Sequence, residues 1–366
     1  MLLNDEAEII QLIAAVGGLG DEIRWAVDIS GSASALLLAL LLAHDQQVVY
    51  VPGRTVNRMS GAYRGEGKTD AKDARVIADQ ARMRQDFTEL TAPQENVATL
   101  QLLTSHRADL IAERVRLINR LRDLLASICP ALERAFDYSA AKGPVVMLTQ
   151  YAAPGALRRL GAKRLTTWLQ RRNVRGAADV AATALQAAQR QHTALPGEEY
   201  AAKLIRELAH QLLTLDPRIK DTDREIRDAF TTDNRAEIIE SLPGMGPILG
   251  AEFIAIVGDL SRYQDAGRLA SHAGLAPVPR DSGRRIGNYH RPKRYNRRLR
   301  HIFYLSAQTA MMRPGPSRDY YLMKRAEGML HTQALLALAR RRVDVLWAML
   351  CDNRPFTSSP PITHAA

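Results

Sequence analysis

The stretch Gly274–Arg300 reads GLAPVPRDSGRRIGNYHRPKRYNRRLR, and it differs in composition from the rest of the chain. Glycine and proline residues near Ser282 exclude a regular helix at that point. The stretch has a single acid, Asp281, against nine basic residues. These nine are Arg280, Arg284, Arg285, Arg291, Lys293, Arg294, Arg297, Arg298 and Arg300. The pattern predicts a strongly basic loop with one serine on an Asp-Ser-Gly turn.

Two interpretations of this loop are open. A serine on a turn among guanidinium groups suits phosphodiester chemistry, because arginine forks match phosphate oxygens. A loop that only grips a nucleic acid backbone has the same composition, and the residues taken alone favour this second interpretation. Either way, the basic residues from Arg280 to Arg298 are candidate nucleic-acid contacts.

The overall composition agrees with a polyanionic partner. The chain has 366 residues and a net charge of +11, and a basic excess of that size favours nucleic acid binding. Cys129 and Cys351 lie far apart without a metal-binding pattern, and we expect both to be ordinary buried thiols of a reducing cytosol. The longest apolar run, 33–43, is too short to span a bilayer. We therefore expect a cytoplasmic, nucleoid-associated protein with no membrane partner.

The N-terminal part has the pattern of a parallel α/β unit. Residues 5–16 show helical spacing. Short β-branched runs at 23–29 and 48–51 flank a helix that ends near Ala43, and Pro52-Gly53 is expected to end the second run. In such units functional groups gather at the carboxyl ends of the strands. Asp28 lies at one of these ends.

Asp70 and Asp73 begin the next predicted helix and share one of its faces. Together with Asp28 these carboxylates have the oxygen chemistry that Mg²⁺ prefers, and paired metals can clamp a phosphodiester. The alternative needs no metal. Asp70 as N-cap and Asp73 at N3 would simply be acids at a helix start, where the helix dipole favours them.

Two long apolar-periodic segments, 94–128 and 197–230, bracket a helical insertion, and this pattern predicts an antiparallel coiled-coil arm. The arginines of the first segment are expected on a solvated face, with a role along a nucleic acid as the alternative; they are Arg107, Arg114, Arg116, Arg120 and Arg122. At 242–247 the sequence LPGMGP between two helical runs is typical of a helix-hairpin-helix, and the alternative is a plain αα-hairpin with a glycine corner. Its Gly244 and Gly246 would expose backbone N–H groups to a phosphate.

The remaining pattern predicts helices over 266–273, 296–310 and 331–351, followed by a disordered tail at 353–366. The expected organisation is an incomplete α/β domain over 1–92, the arm over 93–235, a mainly α-helical domain over 236–352 and the tail.

Four segments occur together in a specific order: the strand with Asp28, KTDAKDA at 68–74, LPGMGP at 242–247, and AGLAPVPRDSG at 273–283. In this order, with an arm between them, the chain resembles the IS110 family of transposases, also called RNA-guided DEDD recombinases. The resemblance covers residues 5 to 351.

The resemblance implies a RuvC-like (RNase H-like) N-terminal domain in which four acids bind Mg²⁺, and a C-terminal serine that forms a phosphoserine link to DNA. Asp28 matches the second acid, Asp70 the third, Asp73 the fourth and Ser282 the nucleophile. It also implies DNA and a structured guide RNA as partners. An active site completed between protomers of a dimer or tetramer is implied as well.

One element of the family pattern is missing from this sequence. The family begins with a strand that carries the first acid in a G-I-D context, and nothing between Met1 and Glu22 resembles it. We expect either that the true start codon lies upstream of Met1 or that this is a truncated copy, with weak or no recombination and a destabilised N-terminal domain. The alternative functions are a nucleic-acid-binding remnant and a RuvC-like metal-dependent nuclease that acts through water.

Overall fold

The structure is a computed structural model that describes residues 3–20, 22–28, 34–63, 67, 69–91, 94–283 and 286–358. The chain forms two compact units. One is Met1–Glu95 with Asp259–Arg262, and the other is Asn96–Gly258 with Tyr263–Ala366. Helices dominate the described residues. None of the helices in these ranges combines the length and apolarity needed to cross a membrane.

The first unit contains a three-stranded sheet in the order β1-β2-β3. Strand β1 (Arg24–Val27) pairs in parallel with β2 (Gln47–Tyr50), with Trp25 opposite Val48. Strand β3 (Thr88–Glu89) adds antiparallel to β2. The two predicted strands and their parallel arrangement are confirmed. Asp28 follows β1 directly and is half-buried.

Helices cover both faces of this sheet because successive side chains of a strand point to opposite sides. On one face Trp25 and Val48 pack in a cluster with residues of α1 (Glu6–Gly17) and α2 (Ala35–Ala43). On the other face Ala26 and Val49 pack with α3 (Gly53–Ser60) and α4 (Asp70–Met83). The predicted α/β unit is thus confirmed, whereas its RuvC-like identity stays a prediction.

The second unit contains two long helices, α5 (Glu95–Ile128) and α10 (Glu198–Thr231). Arg107 Nε donates to Asp223 Oδ1 at 2.5 Å, and Arg114 Nε donates to Asp216 Oδ1 at 2.7 Å. These ion pairs step in opposite directions along the two helices, so the helices run antiparallel. The prediction that Arg107 and Arg114 lie on a solvated face was wrong, because both bind the other helix.

Four shorter helices lie between the long pair in sequence: α6 (Pro130–Ala135), α7 (Lys142–Leu148), α8 (Pro154–Gln170) and α9 (Ala177–Gln189). Their apolar side chains share one core cluster with α5 and α10. A coiled-coil geometry for the long pair remains a prediction. Cys129 is buried in this core as expected, but Cys351 is exposed, contrary to expectation.

The C-terminal helices belong to the same unit: α11 (Ala236–Ser241), α12 (Pro247–Val257), α13 (Ala266–His272), α14 (Arg297–Met311), α15 (Pro316–Ala326) and α16 (His331–Cys351). The hairpin β4 (Val278–Pro279) and β5 (Tyr289–His290) lies between α13 and α14. From the predicted tail, the backbone N–H of Phe356 donates to Ser241 Oγ at 2.8 Å, and residues 359–366 are outside the described residues.

Arg342 of α16 connects several of these helices from the inside. It is only 3% exposed, and its guanidinium donates to Ser306 Oγ on α14 and Ser317 Oγ on α15. It also donates to the carbonyl oxygen of Pro243, in the turn between α11 and α12. Burial lowers the pKa of Arg342 to about 10. Buried arginines normally have a carboxylate partner, whereas only neutral oxygens accept from Arg342 among the described residues.

A second polar cluster joins the ends of four helices. The Asp233 carboxylate is nearly buried and accepts from Arg235 at 2.8 Å and from Asn96 at 3.1 Å. Arg235 also donates to the carbonyl oxygen of Gly258. The cluster therefore links the start of α5, the end of α10, the start of α11 and the end of α12.

Replacing Asp233 by alanine is expected to lower the free energy of unfolding by roughly 3–5 kcal/mol, because the half-buried Arg235 guanidinium loses its carboxylate and the Asn96 amide loses its acceptor. Asp352→Ala is the matched control. Asp352 pairs with Arg354 at the same spacing and at 2.9 Å, but on the surface, so its loss should cost below about 1 kcal/mol. Chemical denaturation measures both. Equal losses would contradict a structural role of the buried pair.

The Asp233 pair also predicts a pH dependence. Burial by itself would raise the pKa of Asp233, but hydrogen bonds from Arg235 and Asn96 outweigh it and hold the pKa below its ordinary value. The stabilisation is therefore complete above the unfolded carboxyl pKa of about 3.9. It is lost as the pH falls from there through the lower folded pKa. Asp233→Ala should flatten this part of the stability profile.

Candidate active site and nucleic-acid interface

Ser282 lies in the exposed loop that joins β4 to β5. The two strands pair antiparallel with Val278 opposite His290, and the N–H of Arg280 donates to the carbonyl oxygen of Asn288 at 2.8 Å. Among the described residues, no hydrogen bond engages the Ser282 hydroxyl. The prediction of a serine on a non-helical turn is confirmed, although the hairpin strands were not predicted.

Asp281, the acid beside this serine, has a structural task in the loop. Its Oδ1 accepts the backbone N–H of Asn288 at 2.9 Å, and the Asn288 side chain donates to the carbonyl oxygen of Arg280 at 3.3 Å. Gly283 and Gly287 have φ values of +53° and +84°, which side chains with a Cβ rarely adopt. These contacts and glycines shape the loop, and Asp281 serves to brace it across its base.

A cavity of about 530 Å³ lies at the base of the hairpin. We call it the basic pocket, and its lining includes Arg280, His290, Arg291, Lys293, Tyr295 and Arg297. Four of the predicted nucleic-acid contacts therefore come together around one concave surface, to which the described residues contribute no carboxylate. Tyr295 and His290 were missed by the sequence interpretation. Aromatic residues interleaved with basic ones, as in HRPKRYNRR, are the sequence signal that could have identified them.

Other predicted contacts have different positions. Arg294 is exposed outside the pocket lining. Arg298 has partners within the protein although its side chain is 42% exposed: it donates to the carbonyl oxygen of Thr104 at 3.3 Å and lies 4.0 Å from the Glu252 carboxylate. This gives Arg298 a role in holding α14 against α5 and α12. Arg284 and Arg285 lie outside the described residues.

The two glycines of the turn between α11 and α12, Gly244 and Gly246, have different environments. Gly244 has a φ of +80° and lies against α14, where an added Cβ would stand 2.6 Å from the carbonyl oxygen of Ser306. Gly246 is exposed and an added Cβ there would meet nothing within 4 Å. Gly244 therefore has a packing function that the predicted phosphate contact did not include. Gly246 is sterically free for such a contact.

The candidate metal ligands belong to the first unit. Asp28 follows β1, and helix α4, which begins with Asp70 and Asp73, packs against that strand through its apolar face. Thr69, rather than Asp70, is the N-cap, since its side chain accepts from the Lys72 N–H at 3.2 Å. The alternative in which Asp70 caps the helix was therefore wrong.

The three aspartates are chemically suited to a divalent ion because they offer hard oxygen donors. No hydrogen bond or ion pair within the described ranges engages their carboxylates. Within those same ranges, no three His, Cys, Asp or Glu side chains come close enough together to hold a metal ion. Asp28, Asp70 and Asp73 are thus uncommitted donors that are not gathered around one position.

Comparison with known proteins assigns both ends of the chain to one family. Residues 2–130 match the DEDD transposase model of IS110, described as a transposase. Residues 236–322 match the model described as transposase IS116/IS110/IS902 family.

Whole-length relatives agree with these matches. The 44.8 kDa protein of insertion element IS116 from Streptomyces clavuligerus is 76% identical, covering 100% of this chain and 91% of that protein. The 42 kDa protein of IS900 from Mycobacterium paratuberculosis is 51% identical over 99% of this chain and 91% of that protein. The 43.6 kDa protein of IS110 from Streptomyces coelicolor is 36% identical over 92% of this chain and 83% of that protein. The chain therefore belongs to the IS110/IS116 family of transposases, enzymes that recombine DNA.

Proposed function

We propose that this transposase exchanges DNA strands through a phosphoserine intermediate on Ser282. The observation that carries the proposal is the position of Ser282, an exposed and unengaged hydroxyl on a braced hairpin next to a basic pocket. Arg280, Arg284 and Arg285 would neutralise the phosphate, since guanidinium groups match its oxygens, and Arg291 would hold the DNA backbone.

In the first step the Ser282 oxygen forms a bond to phosphorus while the bond from phosphorus to the 3′-oxygen of the DNA breaks. The serine proton is transferred, in net balance, to the departing 3′-oxygen. The phosphate remains a diester, now between Ser282 and the 5′ side of the strand. A 3′-hydroxyl of the partner strand reverses the step, so bond energy is conserved and no nucleotide triphosphate is consumed.

We further propose that Asp28, Asp70 and Asp73 hold Mg²⁺. A DEDD-type domain suggests dependence on a divalent metal, and the bound ion would supply stabilisation of negative charge at the scissile phosphate. A structured guide RNA would select the DNA sites. We also propose that the active site is completed between protomers of a dimer or tetramer.

The test is an assay for the covalent intermediate. Purified chain is incubated with element-end DNA, target DNA, the structured RNA of the element and Mg²⁺, and then denatured. We expect a protein–DNA adduct on the Ser282 peptide by mass spectrometry, together with recombinant junctions. DNA cleavage without an adduct would overturn the proposal in favour of a water-dependent nuclease. DNA binding without cleavage would favour a binding remnant.

Replacing Asp73 by asparagine is expected to lower the cleavage rate at least about 100-fold, since even outer-shell partners of a metal are worth 10- to 100-fold. DNA affinity without Mg²⁺ should stay unchanged. The matched control is Asp79→Asn on the same helix, because Asp79 is already engaged by the Tyr63 hydroxyl at 3.1 Å. Cleavage rates are measured over a series of Mg²⁺ concentrations.

Equal rates for the Asp73 and Asp79 variants would contradict the metal assignment. Mixing the Asp73→Asn chain with a Ser282→Ala chain tests the shared site. If acids of one protomer serve the serine of another, the mixture should regain part of the activity that each variant lacks alone. No recovery would contradict a site shared between protomers.

A further inference from the structure

The basic pocket is electrostatically arranged for an anion. Arg280, Arg291, Lys293 and Arg297 line it without any carboxylate. The pocket also lies at the N-terminus of α14, whose first turn has no acid. A helix N-terminus favours negative charge, so the arginines of this turn conflict with the helix dipole. Basic side chains at the positive end of a helix dipole are expected at a functional site where a bound anion offsets the repulsion.

The size and the aromatic side chain indicate more than a bare phosphate. A volume of about 530 Å³ is in the range of sites for small organic ligands, about 300–1,000 Å³. Tyr295 adds an aromatic ring to the lining, and rings of this kind stack against nucleic acid bases. A ligand with both a phosphate and a base satisfies both features.

Tyr295 is held in place by its surroundings. Gly274 has a φ of +66°, and an added Cβ there would lie 2.3 Å from Tyr295 Cγ, so the glycine makes room for the ring. The Arg300 guanidinium carbon lies 5.0 Å from the ring centroid. A hydrogen bond from Arg291 and the charge of Arg300 lower the pKa of Tyr295. Arg300 Nη1 is buried and has no acceptor within the described residues.

The pocket is also close to the proposed nucleophile. Arg280 lines the pocket and stands two residues before Ser282, so their Cα atoms are at most about 7 Å apart. A nucleotide in the pocket would therefore be a near neighbour of the phosphate at Ser282. This proximity favours DNA over guide RNA as the source of the nucleotide, because DNA is the strand that Ser282 attacks.

We propose that the basic pocket binds one unstacked nucleotide of the DNA strand beside the phosphate attacked by Ser282, with its base against Tyr295 and its phosphate among the pocket arginines. The proposal rests on the proposed function and adds a specific subsite to it. An aromatic contact of this kind tolerates any base, because every base has a π face.

The test scans one abasic nucleotide through element-end DNA and measures affinity at each position. We expect one position next to the cleavage site at which the missing base weakens binding roughly 5- to 150-fold, the worth of one base–aromatic stack. Tyr295→Leu should show the same loss with intact DNA and no further loss with the abasic DNA. Tyr295→Phe should retain the wild-type pattern. Tyr200→Ala, which removes an exposed tyrosine of α10, is the control.

Additive losses for Tyr295→Leu and the abasic nucleotide would overturn the proposal, since independent sites add and contacting groups do not. A loss that appears only with abasic guide RNA would overturn the choice of DNA. The covalent adduct is measured in the same samples. An adduct on Ser282 without a sensitive DNA position rejects the pocket and leaves the proposed function standing. A sensitive DNA position without an adduct on Ser282 supports the pocket and rejects the proposed function.

Discussion

Replacing Ser282 by alanine is expected to abolish the covalent protein–DNA adduct and to reduce strand exchange about 10⁴-fold or more, as for other covalent nucleophiles. The reason is chemical, because Ser282 carries the only hydroxyl in the loop 280–288, whereas the neighbouring Asp281 carboxylate is engaged by the Asn288 N–H. Folding and DNA binding should be preserved. The hydroxyl is exposed and engages no partner among the described residues, so the free energy of unfolding should change by less than about 0.5 kcal/mol.

Ser271→Ala is the matched control for this prediction. Ser271 is also exposed and belongs to the same unit, but its hydroxyl donates to the carbonyl oxygen of Gly267 within α13 at 2.9 Å. The control should form the adduct at the wild-type rate. If the Ser282 variant still cuts DNA, water is the nucleophile and the hairpin only binds. If it still forms an adduct, the nucleophile is another residue.

Gly244→Ala is expected to destabilise the second unit by roughly 2–5 kcal/mol, the sum of a left-handed backbone penalty and an overpacking penalty. The new methyl group would stand 2.6 Å from the carbonyl oxygen of Ser306 and 3.1 Å from the amide nitrogen of Ala310. Both atoms belong to the backbone of α14, which cannot rotate away as a side chain can. The turn must therefore move off α14, and this strains the bond from Arg342 to Pro243.

Gly246→Ala provides a matched control two residues away. Gly246 has a φ of −77° and open space around it, so the substitution should cost below about 1 kcal/mol. Chemical denaturation measures both variants, and DNA affinity is measured in parallel. A stable Gly246→Ala chain with weakened DNA binding would support the predicted phosphate contact. Equal stability of the two variants would contradict the packing role of Gly244.

Secondary structure was largely predictable because its signals are local. The apolar spacing of 94–128 and 197–230 indicated α5 and α10, and the β-branched runs indicated β1 and β2. The missed elements have weak local signals. Helix α3 begins at Gly53, directly after the proline that was expected to end the strand, and α15 has no buried residue and hence no apolar stripe. Strands β4 and β5 have two residues each.

The candidate site was only partly predictable. A serine among arginines is visible in sequence, and so is an aspartate at the end of a strand. The sequence does not show which charged side chains already bind a partner within the protein. Arg298 was a candidate nucleic-acid contact, but its neighbours in space are Thr104 and Glu252, far away along the chain. Likewise, the ion pairs of Arg107 and Arg114 depend on residues more than a hundred positions away.

The sequence by itself determined the order of the long helices and of β1 and β2, the excess of positive charge in 274–300 and the residue types available for chemistry. These properties depend on neighbouring residues and on composition. Only the tertiary structure decided which groups are free and which are used within the protein. It placed Gly244 against α14 and buried Arg342 beneath the turn between α11 and α12. It also gathered Arg280, Tyr295 and Arg297 around one pocket. Close packing and hydrogen bonding act through space, so contacts between distant residues arise only when the chain is folded.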